Sequence, residues 1–165
     1  MVRLLLFLSL PLYIVDQITK YWAANRYPLR GPGEEVIPNF LTLHYIDNTG
    51  IAFGNFNGGQ YSNLIFGAIA LGALGVIALL YKKGMFPGAI SRLAIVLLVA
   101  GVCGNFTDRL VYGHVVDFLS FDLHIPYANP WPSFNVADAC VVSAAFLLAI
   151  ASFKEAPAEK AKAKA

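Results

Sequence analysis

Four stretches of the chain are apolar almost without interruption, at about 4–20, 61–81, 89–104 and 136–153. Each approaches the roughly 20 residues that a helix needs to cross the hydrocarbon layer with some tilt. The first is short enough to be mistaken for a cleavable leader. However, Asp16, Gln17, Thr19 and Lys20 follow at once, then bulky Tyr21 and Trp22, and no small-x-small site is in place. It is expected to remain as a span with an aromatic anchor at the interface. In the second stretch Gly67, Gly72 and Gly75 suit close helix approach in lipid. Gly84 and Pro87-Gly88 make a short turn before the third.

The two remaining connections are long, and their pattern changes. Residues 40–46 are rich in aromatic and β-branched side chains and predict a strand, and Asp47-Asn48-Thr49-Gly50 is a turn signal. The apolar-polar mixture at 51–56 could lie along the membrane surface. Residues 111–125 alternate, with Asp117, Leu119, Phe121 and Leu123 on one face and Val116, Phe118, Ser120 and Asp122 on the other. The expected fold is an integral membrane, mainly α protein: a four-transmembrane-helix bundle in one domain, 1–153, carrying a small extracytoplasmic β platform. Residues 154–165 form a tail of low complexity with no apolar face, and no fixed structure is expected there.

Composition agrees. Of the 165 residues 58% are hydrophobic and 13% charged, against roughly 25% charged in soluble domains. A net charge of +2, with no basic run interleaved with aromatics, argues against nucleic acid as a partner. The two cysteines, Cys103 and Cys140, lie in or beside apolar runs, and the three histidines have no ligand spacing, so neither a metal nor another cofactor is expected. Lys and Arg gather in the short turn (Lys82, Lys83, Arg92), the tail (Lys154, Lys160, Lys162, Lys164) and the N-terminus (Arg3), and are sparse in the long connections. That asymmetry places both termini in the cytoplasm and the long loops outside.

Polar residues able to do chemistry collect on the outward side. Asp117 and Asp138 are separated by a segment with Pro126, Pro130 and Pro132 that can fold back and bring the two carboxylates together. Carboxylates at a bilayer edge are costly, and a pair of them, one ionised and one protonated around a water, is a hydrolytic device. Asn135 has the position of a helix N-cap, which puts Asp138 at the third helical residue, where the dipole favours its charge. Asp117 is then the expected holder of the shared proton. Taken singly, Asp138 is an ordinary helix-cap carboxylate and Asp117 a solvated strand residue; the set carries the case. Asp16 and Lys20 lie four apart at the end of the first span, as do Asn105 and Arg109 beyond the third, and Asn48 and Gly50 sit in the first outward loop. A small proton-coupled transporter would also use intramembrane charge. Against it, the charges gather at one face and no inverted repeat of broken helices is visible. A purely structural membrane protein would leave the outward cluster unexplained.

Five segments, Asp16-Gln-Ile-Thr-Lys20, Asn48-Thr-Gly-Ile-Ala-Phe53, Gly104-Asn-Phe-Thr-Asp-Arg109, Val116-Asp-Phe118 and Phe134-Asn-Val-Ala-Asp138, resemble the ordered motifs of bacterial lipoprotein signal peptidase (signal peptidase II). The resemblance covers 1–153. It implies an aspartic endopeptidase of the bacterial inner membrane that cleaves diacylglyceryl-modified prolipoproteins just before the lipidated cysteine, with Asp117 and Asp138 catalytic. Asp16, Lys20, Asn48, Gly50, Asn105, Arg109 and Asn135 would support the site or position substrate. It further implies a β-cradle, a surface-lying helix, contact with membrane lipids and sensitivity to a globomycin-type inhibitor. A monomer is expected.

Overall fold

The computed structural model describes residues 1–50, 62–126 and 130–162. Its four apolar helices are α1 (Val2–Arg26), α2 (Ser62–Lys82), α3 (Ala89–Val111) and α4 (Val136–Lys162). Within α1 the turn Leu5–Ser9 is π-helical, ahead of Pro11. Proline has no N–H to give and its ring crowds the carbonyl four residues back, so widening the preceding turn relieves the conflict.

The helix α3 is central, packing against α1, α2 and α4. It runs seven residues beyond the boundary at 104 suggested by hydropathy, to Val111. Asn105 and Arg109 are therefore helical residues on one face rather than loop residues beyond the span. The backbone of α4 is helical to Lys162, past Pro157 in a segment otherwise made of Ala, Lys and Glu, which are strong helix formers. The surface-lying segment expected at 51–56 lies outside the described residues.

The platform is an antiparallel sheet of β1 (Glu34–Ile37), β2 (Leu41–Asn48) and β3 (Val115–Phe121), in that order. The edge strand β1 was not foreseen. It is short, exposed and carries two glutamates, the usual way to blunt a sheet edge. Between β2 and β3 the register shifts once, between Leu43 and Ile46. Beyond that bulge Ile46 pairs with Asp117 and Asn48 with Val115. Asn48 thereby shares a face with Asp117 at the diagonal position, within reach of its carboxylate.

Candidate active site

The segment leading into α4 is stitched onto β3. The Phe134 carbonyl accepts the Phe118 and Leu119 N–H groups at 3.1 and 2.9 Å, and the Phe134 N–H returns to the Leu119 carbonyl at 3.0 Å. This delivers Asn135, fully buried, beside Asp117. Asn135 caps α4 as its sequence position predicts. Its Oδ1 accepts the Asp138 N–H at 2.9 Å, while Asp138 Oδ2 accepts the Asn135 N–H at 3.2 Å. The arrangement is a reciprocal capping box.

The Asn135 amide nitrogen is also the link between the two carboxylates. It donates to Asp117 Oδ1 at 2.7 Å and to Asn105 Oδ1 at 3.2 Å. Asn105 Nδ2 in turn donates to Asp138 Oδ1 at 2.7 Å. The chain of contacts is Asp117–Asn135–Asn105–Asp138. On the other side Asn48 Nδ2 donates to Asp117 Oδ2 at 2.9 Å, and Asn48 is held by the Gly50 N–H on its Oδ1 at 2.8 Å. Gly50 has φ +94°, a conformation that costs glycine little.

These environments separate the two acids. Burial pushes Asp117 from 3.8 up to about 7, and the nearby charge of Asp138 adds to it; the Asn48 and Asn135 donors pull the other way without cancelling either. Asp138 sits half-buried at the positive end of α4, with donors on both oxygens. The raised value of Asp117 suits it to carry a proton near neutral pH. Asp117 also lines a polar cavity of about 280 Å³ with Asn48, Thr49, Asp47, Arg30 and Ser133.

Behind the acids is a second cluster. Asp16 and Lys20 are 0% and 1% exposed, and Asp108 is 0%. Lys20 Nζ spends its three hydrogens on Asp16 Oδ2 (2.8 Å), Asp108 Oδ2 (2.9 Å) and Asn105 Oδ1 (2.9 Å). Gln17 Nε2 adds a donor to Asp108 Oδ1 at 2.9 Å. The two aspartates then reach the residues just ahead of the site acids. Asp16 Oδ1 accepts the Ala137 N–H at 2.8 Å, and Asp108 Oδ2 accepts the Val116 N–H at 3.1 Å. One lysine thus fixes the backbone immediately before both Asp117 and Asp138. Asp108 and Gln17 were missed as site-supporting residues. Their signal was spacing: Asp108 lies three residues after Asn105 on one helix, and Gln17 directly follows Asp16.

Arg109 lies beside this assembly, its Nη1 donating to the Asn105 carbonyl at 3.2 Å. All nine residues singled out from sequence therefore meet in one region. Asp16 and Lys20 stand behind the acids and Asn48 and Gly50 beyond Asp117. Asn105, Asn135 and Arg109 lie between or beside them.

The class so defined is a four-helix membrane protein with a paired-carboxylate site where the helices meet a small sheet. Comparison with known proteins makes it specific. The family model for signal peptidase (SPase) II matches residues 8–154. The lipoprotein signal peptidase of Symbiobacterium thermophilum is 38% identical over 143 residues, 86% of this chain and 88% of that protein. That of Staphylococcus haemolyticus is 36% identical over 151 residues, 92% and 91%. A bacterial membrane enzyme solved by the in meso method at 1.9 Å superposes with TM-score 0.80 at 32% identity, covering 91% of this chain and 92% of its own. The chain belongs to the signal peptidase II family.

Proposed function

We infer that this protein is an intramembrane aspartic endopeptidase that cleaves the signal peptide from diacylglyceryl-modified prolipoproteins just before the lipidated cysteine. The observation that carries the reading is the Asp117–Asn135–Asn105–Asp138 chain, which holds two acids of unlike environment in one site. The family match supports the substrate class, and nothing supports the transporter alternative. Both termini face the cytoplasm, as the placement of Lys and Arg indicates, so the site lies at the outer face of the bacterial inner membrane. A monomer contains every residue the site needs. Family membership also makes a globomycin-type inhibitor the natural active-site probe.

The chemistry is a balanced acid–base cycle. Asp138, ionised, takes a proton from water as its oxygen bonds to the scissile carbonyl carbon. Asp117 gives its proton to the developing oxyanion, leaving a neutral gem-diol. Asp138 then protonates the amide nitrogen. The C–N bond breaks, one gem-diol hydroxyl returns its proton to Asp117, and the carbonyl of the new acid forms. Both acids end as they began. The signal helix and acyl chains stay in lipid throughout, so none of their apolar surface has to be brought into water to reach the site.

The test is cleavage of a lipid-modified prolipoprotein by purified protein in detergent. Asp117→Asn and Asp138→Asn are each expected to lower turnover by about 10²–10⁴-fold or more while remaining folded. Normal turnover by either variant would refute the pair.

A further inference from the structure

The outer end of α2 reaches the site through one side chain that neither pattern nor motif singled out. Phe66 places its ring under Arg109, with the guanidinium carbon 4.8 Å from the ring centre. The same ring abuts Gly50, where an added Cβ would run into it. Next to it Gly67 is buried against the Phe106 ring, with its hypothetical Cβ at 3.4 Å, so this end of α2 is seated on α3.

The consequence lies in what Arg109 does not do. It forms no ion pair among the described residues, although Asp138, Asp108 and Asp117 are all within electrostatic range of it. Of its five N–H donors one is used among the described residues, on the Asn105 carbonyl. An arginine bound to either site acid would neutralise the charge difference on which the pair depends. An aromatic face attracts the cation without consuming its donors or contributing a charge.

We propose that Phe66 is a positioning residue: its ring face holds the Arg109 guanidinium beside Asp117 and Asp138 with donors left for the backbone carbonyl oxygens of the bound peptide. The ring also backs Gly50, whose N–H fixes Asn48 against Asp117. Phe66 therefore joins the loop that holds one acid to the helix whose Asn105 holds the other. The inference rests on the reading of Asp117 and Asp138 as the reacting acids.

The experiment replaces Phe66 with mono-, di- and trifluorinated phenylalanine. These keep the ring's shape and apolar contact while progressively cancelling the charge on its face. Cleavage of a lipid-modified prolipoprotein is measured in the full-length enzyme, with Asp117→Asn as the inactive reference. kcat is expected to fall stepwise, by about tenfold across the series, with KM little changed. Phe66→Leu should match the trifluorinated enzyme. In an Arg109→Ala background the series should be flat, because the cation it acts through is gone. A flat series with Arg109 present, or equal slopes in both backgrounds, overturns the proposal while leaving the acid pair intact. Activity in Asp117→Asn would instead overturn the reading beneath it. Should Phe66→Leu lose thermal stability, the fluorinated enzymes still decide the matter.

Discussion

Helices α2 and α3 are both long enough to cross a membrane, yet they are built on opposite terms. The more apolar of them, α2, with mean hydropathy 2.5 over its best window, has 6% of that window buried in the protein; α3, at 1.9, has 39%. In water the order would be reversed. In lipid, apolar side chains gain nothing by leaving the solvent, and helices associate through close backbone approach and polar contacts. Glycines show it most directly. At Gly101 a Cβ would overlap the Ala137 carbonyl and meet Val141, and at Gly104 it would lie 2.5 Å from Asp16 Oδ2 and 2.9 Å from Ala137 Cβ. At Gly72 and Gly75 a Cβ would meet nothing within 4 Å. The helix that carries Asn105, Asp108 and Arg109 is the one that is gripped.

If polar contacts do the gripping, removing the cation at their centre should do the most damage. Lys20→Met leaves Asp16 and Asp108 buried without a counter-charge, a loss of about 3–5 kcal/mol for a broken buried pair. It also frees the Val116 and Ala137 backbone that precedes the two acids. Thermal unfolding in detergent should drop sharply and cleavage should be lost; a variant that melts and cuts like the parent would remove the cluster from the account. Gly104→Ala comes next. Asp16 cannot yield, being tied to Lys20 and the Ala137 N–H, so α3 must draw away from both α1 and α4. Overpacking of this kind costs about 1–3 kcal/mol. A displacement of about 1 Å at the acids can lower turnover about 100-fold, measurable on the lipid-modified substrate.

The comparison also explains what could be read from the sequence. Span number and rough position were legible because hydropathy reports exposure to lipid directly. The acids, Asn135 as N-cap and the β2 and β3 strands were legible because caps, turns and alternation are local. The end of α3 was not. Hydropathy stops at Gly104, but the helix continues because Asn105, Asp108 and Arg109 find partners on other elements, and no local pattern encodes those partners. The same holds for Lys20, whose i,i+4 spacing from Asp16 indicates a pair but not its burial. Its burial depends on Asp108, 88 residues away in sequence. Of the three α2 glycines that pattern reading offered for close packing, only Gly67 has a neighbour among the described residues. Small residues permit approach without requiring it.

A smaller effect should appear with pH. Asp117 holds its proton up to about 7 in the folded protein, against 3.8 unperturbed. Between those values the folded state binds a proton that the unfolded state has released, so stability falls as pH rises from about 4 to 7 and levels off above. Asp117→Asn has no such proton. Its melting temperature relative to the parent should climb across that window and then hold constant. In the parent, kcat/KM should decline above pH 7, as the acid that must donate to the oxyanion loses its proton. A melting difference independent of pH would mean that Asp117 titrates as an ordinary carboxylate.

The smallest effect is expected where the comparison began. Gly72→Ala and Gly75→Ala add a methyl to open space and replace the residue that disfavours helix by about 1 kcal/mol with the one that favours it most. Against the loss at Gly104, these variants should melt at the parent's temperature or slightly above it and cleave at the parent's rate. The informative failure is a split result: unchanged melting with a raised KM. It would mean that this bare face of α2 is covered during turnover by the signal helix of the substrate, packed as closely as α4 packs on Gly101. The grip of α3 and the openness of α2 would then be one design, since a helix held by its neighbours leaves its partner free to receive a passing chain.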